Sequence, residues 1–159
     1  MPTVIRKAGP DEAGKVHSIM VDAFEVFRDA VPPTSVFAET AGSVRRDLET
    51  KEEAVLCLRD GVPVGSARFS VGEELFFHRL AVLRSEQGKG IGTAMVRWLE
   101  REAALRGANG VWLKVRATAP RNVGFYRRLG YEAASEREEV NPVGHAVMIV
   151  TMRKPLPSK

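Results

Sequence analysis

The segment Leu80-Ala81-Val82-Leu83-Arg84-Ser85-Glu86-Gln87-Gly88-Lys89-Gly90-Ile91-Gly92-Thr93 constrains this chain more than any other. It passes from an apolar, strand-like stretch through a polar turn into a helix. On that helix Ile91, Ala94, Met95, Trp98 and Leu99 share one stripe. Such a junction belongs to a sheet with helices packed on it. Glycines at 88, 90 and 92 let backbone amides approach a ligand with no Cβ in the way. The helix start adds unpaired donors and the positive end of a dipole, so phosphate is the natural ligand. Two phosphate loops fail on spacing. A Walker loop needs Ser or Thr after Gly-Lys, but Lys89 precedes Gly90; a dinucleotide fingerprint needs glycine where Thr93 stands. The reading without a ligand is a tight turn whose glycines serve only helix–sheet packing.

The rest of the chain supplies the layers. Thr3–Ala8 alternates as a first strand, and Gly9-Pro10-Asp11 signals a helix start. Val16, Ile19, Met20, Ala23, Phe24 and Phe27 then fall at helical spacing until Val31-Pro32-Pro33 breaks the pattern. A second helix is expected from about Ser35 to Lys51. Three strands follow over Ala54–Arg59, Val62–Val71 and Leu75–Leu83, turning at Asp60-Gly61 and Gly72-Glu73-Glu74. The helix after the glycine loop is expected to stop near Arg106-Gly107. Then come a strand over Val111–Arg116, a short helix over Arg121–Leu129, and closing strands over Tyr131–Glu138 and His145–Arg153. This order predicts one α/β (α+β) domain over residues 1–154, a mixed, mostly antiparallel sheet of about seven strands flanked by about four helices. Residues 155–159 are expected to fray.

Composition narrows the function classes. The chain has 159 residues, 44% hydrophobic and 28% charged, enough to bury a core without disulfide help. Its one cysteine, Cys57, lies in an apolar run and reads as a core residue. No apolar stretch has the length of a signal peptide or a membrane span, so a soluble, cytoplasmic protein is expected. A formal charge of +4 and a pI of about 9.5 favour anionic ligands. The basic residues are dispersed and lack interleaved aromatics, so a nucleic-acid partner is not expected. No His, Cys and carboxylate grouping has metal-ligand spacing, and no covalent-nucleophile motif is present.

Gln87-Gly88-Lys89-Gly90-Ile91-Gly92 resembles the Q/R-x-x-G-x-G/A pyrophosphate loop of the GNAT acetyltransferases, as does its setting after a Leu-Ala-Val strand. A second segment, Phe125-Tyr126-Arg127-Arg128-Leu129-Gly130-Tyr131, is similar to that family's F-Y-x-x-L-G-F/Y signature. Many members carry Asn seven residues before this tyrosine; here Ala119 stands there. The resemblance implies acetyl-CoA as co-substrate, gripped by the amides of Gln87, Gly88, Lys89, Gly90, Ile91, Gly92 and Thr93, with Lys89 and Arg84 adding charge. It implies pantetheine running along a splayed strand at Leu80, Ala81 and Val82, one of whose amides meets the thioester oxygen. An amine acceptor, a small molecule or a protein amino group, and a homodimer of the kind common among similar proteins complete the implication.

Acyl transfer to an amine has three requirements: a neutral amine, stabilisation of the thioester oxygen, and a proton for the departing thiolate. Phe125 and Leu129, one helical turn apart, are expected to face the core, and Tyr126, about 100° round, to leave that face. Its phenol then suits the third requirement. For the first, His78 shares strand parity with Leu80 and Val82 if no bulge intervenes. Glu73, Glu74 and Glu25 are alternatives. His145 lies in the last inter-strand loop, which by the resemblance borders the acceptor, and His17 carries no signal. Direct transfer is the simplest chemistry; a non-catalytic acyl-CoA-binding or regulatory module of the same fold is the competing function.

Overall fold

A computed structural model describes residues 3–157 of the chain. The elements are β1 (Thr3–Ala8), α1 (Ala13–Phe24), α2 (Ala41–Thr50), β2 (Glu53–Arg59), β3 (Val62–Val71), β4 (Leu75–Val82), α3 (Ile91–Leu105), β5 (Gly110–Arg116), α4 (Pro120–Arg128), β6 (Glu132–Val140) and β7 (Ala146–Pro155). The seven strands form one sheet in the order β1-β2-β3-β4-β5-β7-β6. Every pairing is antiparallel except β4–β5.

Helices cover both faces. Val16, Ile19 and Ala23 of α1 pack with Val44 of α2 on Ala54, Leu56 and Ala81. Met95, Val96 and Leu99 of α3 pack with Phe69, Phe77, Val111 and Leu113 on the opposite face. Cys57 is fully buried there, as a small core residue. Met95 and Ile91 can lie this close to β3 because residue 65 is glycine. A Cβ there would stand 2.7 Å from Met95 Sδ and 3.3 Å from Ile91 Cγ2. Gly65 therefore lets the first turns of α3 settle against the middle of the sheet.

Several boundaries differ from the sequence expectation. The first apolar stripe ends at Phe24; Phe27 falls in a following 3-10 turn and is exposed. Ser35 starts no helix, because Val36–Ala38 makes only a 3-10 turn. The α2 helix starts instead after Thr40, whose hydroxyl accepts from the Ser43 amide at 3.0 Å while Ser43 Oγ accepts from the Thr40 amide at 2.9 Å. That reciprocal cap satisfies two end groups at once. Thr40→Ala is expected to cost about 1 kcal/mol, a fall of about 2–4 °C in Tm by calorimetry for a domain of this size. At the other end β7 includes Pro155, and Leu156 donates to the Asn109 carbonyl at 2.9 Å, so the strand is tied down further than expected. Of the expected frayed tail, residues 158 and 159 lie outside the described part.

Candidate active site where two strands part

The parallel pair β4–β5 is short. Its register comprises Leu75↔Val111 and Phe76↔Trp112, and from Phe77 onward the two strands separate. The backbone edge of β4 that would face β5 beyond this point has no strand partner. A second irregularity lies opposite: the β3–β4 register shifts between Ser66↔Ala81 and Arg68↔His78. Arg79 takes up the extra residue with a φ of +56°, a conformation rare for a residue with a Cβ.

The glycine loop closes one end of this opening. Gly88 and Gly90 both have φ near +81°, and a Cβ at either would meet nothing within 4 Å. Each therefore faces open space. Ala94 is the first residue whose amide closes a helical bond, to Gly90 at 3.0 Å. The preceding amides of α3 form the positive end of the helix. Gln87 braces the loop, its side-chain amide donating to the Val82 carbonyl at 3.1 Å. Glu86 holds Lys89 at 2.6 Å and Arg59 at 2.8 Å, and those two cations keep its carboxyl below the usual range, Lys89 more than Arg59. Arg84 is turned to α1, its amide 2.9 Å from Asp22 Oδ2. Such a cradle of helix-start amides, a dipole end and two cations, with the glycine conformations keeping side chains out, has the chemistry to accept an anionic group such as a phosphate.

The second motif meets the first through Phe125. A Cβ on Gly92 would lie 3.6 Å from Phe125 Cζ and 4.0 Å from Val82 Cγ2. The start of α3, the end of β4 and α4 thus converge. Here the helical-face expectation is corrected. Tyr126, not Phe125, is the buried residue of α4. Its ring lies 6.0 Å from Phe77, the first β4 residue past the last β5 pair, and 6.0 Å from Tyr131. Phe125 is half-buried, with its ring edge beside Gly92 at the start of α3. Burial pushes the Tyr126 phenol well above its ordinary pKa, so it stays protonated at neutral pH.

His78 is also corrected. The bulge at Arg79 intervenes, so His78 and Ala81 face α1 and α2 while Leu80 and Val82 pack against the α3 core. On that face a pocket of about 380 Å³ is lined by Glu39, Asp47, Lys51, Arg68, His78 and Arg79, among others. Arg68, fully buried, reaches Glu39 at 2.7 Å; Arg79 donates to Glu39 at 3.0 Å and to Ser35 Oγ at 2.8 Å. Glu52 bonds His78 Nε2 at 2.7 Å. Burial would raise the Glu52 carboxyl, yet His78, Arg68 and Lys51 together hold it below the usual range. The loop after α1 is pinned over this side, where the Pro33 carbonyl accepts from Arg116 at 3.0 Å and from Asn141 at 2.9 Å.

Other sequence candidates stand apart from this pocket. Glu25 is held by Arg28 at 2.7 Å, Glu74 is paired with Arg153, and Glu73 is exposed in its turn. His145 is exposed beside Asn141; His17, in contrast, borders the pocket by bonding the Glu39 carbonyl at 3.0 Å. Sequence reasoning missed Glu39, Glu52, Arg68 and Arg79. One signal was present: Arg68 is the single charged residue of its strand, and a buried guanidinium requires acidic partners. Among the described residues, no group of three or more His, Cys, Asp or Glu is arranged to hold a metal ion. Likewise no helix among them is long and apolar enough to cross a membrane.

Residues 15–131 match the sequence model of the acetyltransferase (GNAT) family, a span holding the opening, the cradle and Tyr126. The chain belongs to the GNAT acetyltransferase family. Its curated relatives include a protein named uncharacterized N-acetyltransferase YjcF, of Bacillus subtilis (strain 168), 32% identical over 93 residues, which are 58% of this chain and 64% of the relative. This GNAT domain thus spans less than two thirds of that relative's length. Among solved structures, the ribosomal-protein-S18-alanine N-acetyltransferase of Escherichia coli superposes with a TM-score of 0.79 at 19% identity, covering 99% of this chain and 96% of that one. The PaiA N-acetyltransferase of Thermoplasma acidophilum, in complex with coenzyme A, superposes at 0.78 with 12% identity over 98% of this chain and all of that one. In this GNAT domain the position that carries Asn in many members is Ala119, the residue capping α4, and it offers no side-chain donor.

Proposed function

We propose that this GNAT domain moves an acetyl group from acetyl-CoA to an amine by direct attack of the amine nitrogen on the thioester carbon. The observation that carries this reading is the convergence of the α3 cradle, the open edge of β4 and Tyr126 at one place. The cradle fits the pyrophosphate: amides from Gln87 through Gly88, Lys89, Gly90, Ile91, Gly92 and Thr93 would donate to it. The open edge at Leu80, Ala81 and Val82 fits an extended pantetheine arm, and one amide there would oppose charge developing on the thioester oxygen. A relative named as an N-acetyltransferase and a neighbour solved with coenzyme A support the same assignment.

Tyr126 would act as the acid. As the carbon–nitrogen bond forms and the carbon–sulfur bond breaks, its hydroxyl gives a proton to the sulfur. A phenol with so raised a pKa leaves a strongly basic phenolate, which recovers a proton from the acetylated nitrogen. Catalysis would need no covalent acyl-enzyme. The test is release of coenzyme A thiol from acetyl-CoA across a panel of small amines, polyamines and peptide amino groups. Amine-dependent thiol release is the expected result. Acetyl-CoA binding by calorimetry with no turnover on any amine would instead mark a non-catalytic acyl-CoA-binding module.

A further inference from the structure

We propose that Glu52 positions His78 as the proton acceptor for the amine, and that the amine enters the pocket lined by Glu39, Asp47 and Arg79. This deepens the acetyl-transfer reading and rests on it. The Glu52 carboxylate is acceptor-only. At 2.7 Å from His78 Nε2 it requires the proton on that nitrogen, which leaves the lone pair on Nδ1. The Phe76 ring, stacked at 5.5 Å and 27°, fixes the imidazole plane from one side. His78 remains one-third exposed and lines the pocket, whereas Glu52 is only 8% exposed. A buried carboxylate thus orients a half-open imidazole, the relation that makes histidine a base in hydrolytic triads.

The charge around His78 is balanced. Glu52 Oε2 and Arg68 Nε and Nη1 are all buried without a hydrogen bond, and the Glu52–Arg68 contact at 3.4 Å is an ion pair of poor geometry. The charged groups facing His78 are Glu52 just before β2, Arg68 on β3, Arg79 on β4, Asp47 on α2, Lys51 capping its end, and Glu39 before it. Three carboxylates balance three cations there, so an entering ammonium meets no net positive field. His78 is also the second β4 residue past the last β5 pair, at the mouth of the opening.

The proton count closes. Nδ1 takes one proton from the ammonium, freeing the nitrogen lone pair that forms the bond to the acetyl carbon. The nitrogen loses its second proton, which replaces the one Tyr126 gives to sulfur. The imidazolium, paired with Glu52, returns the first proton to solvent.

The test uses Glu52→Gln, His78→Asn and the double variant, assayed with the best amine of the panel. Glu52→Gln lets the new amide donate to Nε2 and so moves the imidazole proton to Nδ1. Each single variant is expected to lose roughly 10²-fold in kcat/KM near pH 7, with acetyl-CoA affinity unchanged by calorimetry. The double variant should be no worse than His78→Asn. The deficit should shrink to a few-fold as pH approaches the amine's own pKa, about 10.4 for a lysine-like acceptor. Nitrogen-15 spectra of the histidine side chains should show His78 protonated at Nε2 in the parent and at Nδ1 in Glu52→Gln. Parent-like rates, additive losses, a deficit constant with pH, or the opposite tautomer would each overturn the proposal. Turnover by the parent with unaffected variants would sink this inference alone; no turnover on any amine would sink the acetyl-transfer reading with it.

Discussion

Tyr126→Phe is expected to lower kcat by about 10²- to 10³-fold while acetyl-CoA affinity stays within roughly a factor of two. The substitution removes one oxygen and keeps the ring that packs on Phe77, Phe125 and Tyr131. Packing loss is therefore not the cause of any large effect. A thiolate leaving without a proton donor must wait for water, and the opening beside Phe77 is walled by core residues. The loss should be smaller for an acyl donor with a more acidic thiol, because a better leaving group needs less help. Thiol-release kinetics on purified Tyr126→Phe, together with calorimetry, decide the matter. A variant with unchanged kcat would leave Tyr126 as a packing residue of the cofactor pocket. A variant that loses acetyl-CoA binding in parallel would make its hydroxyl a ligand contact instead of an acid.

Gly90→Val is expected to weaken acetyl-CoA binding by about 100-fold or more, since a side chain would occupy the concave side of the cradle where amides must reach phosphate. Gly90 has φ +81° and ψ 8°, and a Cβ there would project into open space. Strain is the competing explanation for any defect: an L-residue in this left-handed region costs roughly 1–2 kcal/mol, more if β-branched. Gly61, in the β2–β3 turn, separates the two effects, because its φ is +79° and a Cβ there also meets nothing within 4 Å. Gly61→Val should therefore show a similar fall in Tm, and bind acetyl-CoA like the parent. Calorimetric titration of both variants, with thermal melts alongside, is the measurement. Equal affinities for the two would mean that the α3 cradle does not hold the cofactor.

What could be read from the chain alone follows from which interactions are local. Amphipathic periods, the Asp60-Gly61 and Gly72 turns, and the glycine loop depend on neighbours a few residues apart. They specified the element order, the strand–loop–helix junction and the family likeness, which the match over residues 15–131 then showed. Helix starts near Ser35 were less legible, since a 3-10 turn and a capping box differ by side-chain hydrogen bonds that hydrophobic patterning does not carry.

Only the tertiary structure decided the rest. Strand parity assigned His78 to the face of Leu80 and Val82, but one extra residue at Arg79 reversed it, because side chains alternate with a period of two and a bulge shifts every later residue across the sheet. Which of Phe125 and Tyr126 is buried depended on contacts with Phe77 of β4 and with Tyr131, both supplied by the packed fold. Glu52 and His78 lie 26 positions apart in the chain and 2.7 Å apart in space. Their partnership, and that of Arg68 with Glu39, exists because burial strips water from charges and obliges distant residues to satisfy one another. The sequence by itself determined that a glycine-rich strand–loop–helix junction is present; the fold decided which side chains stand beside it.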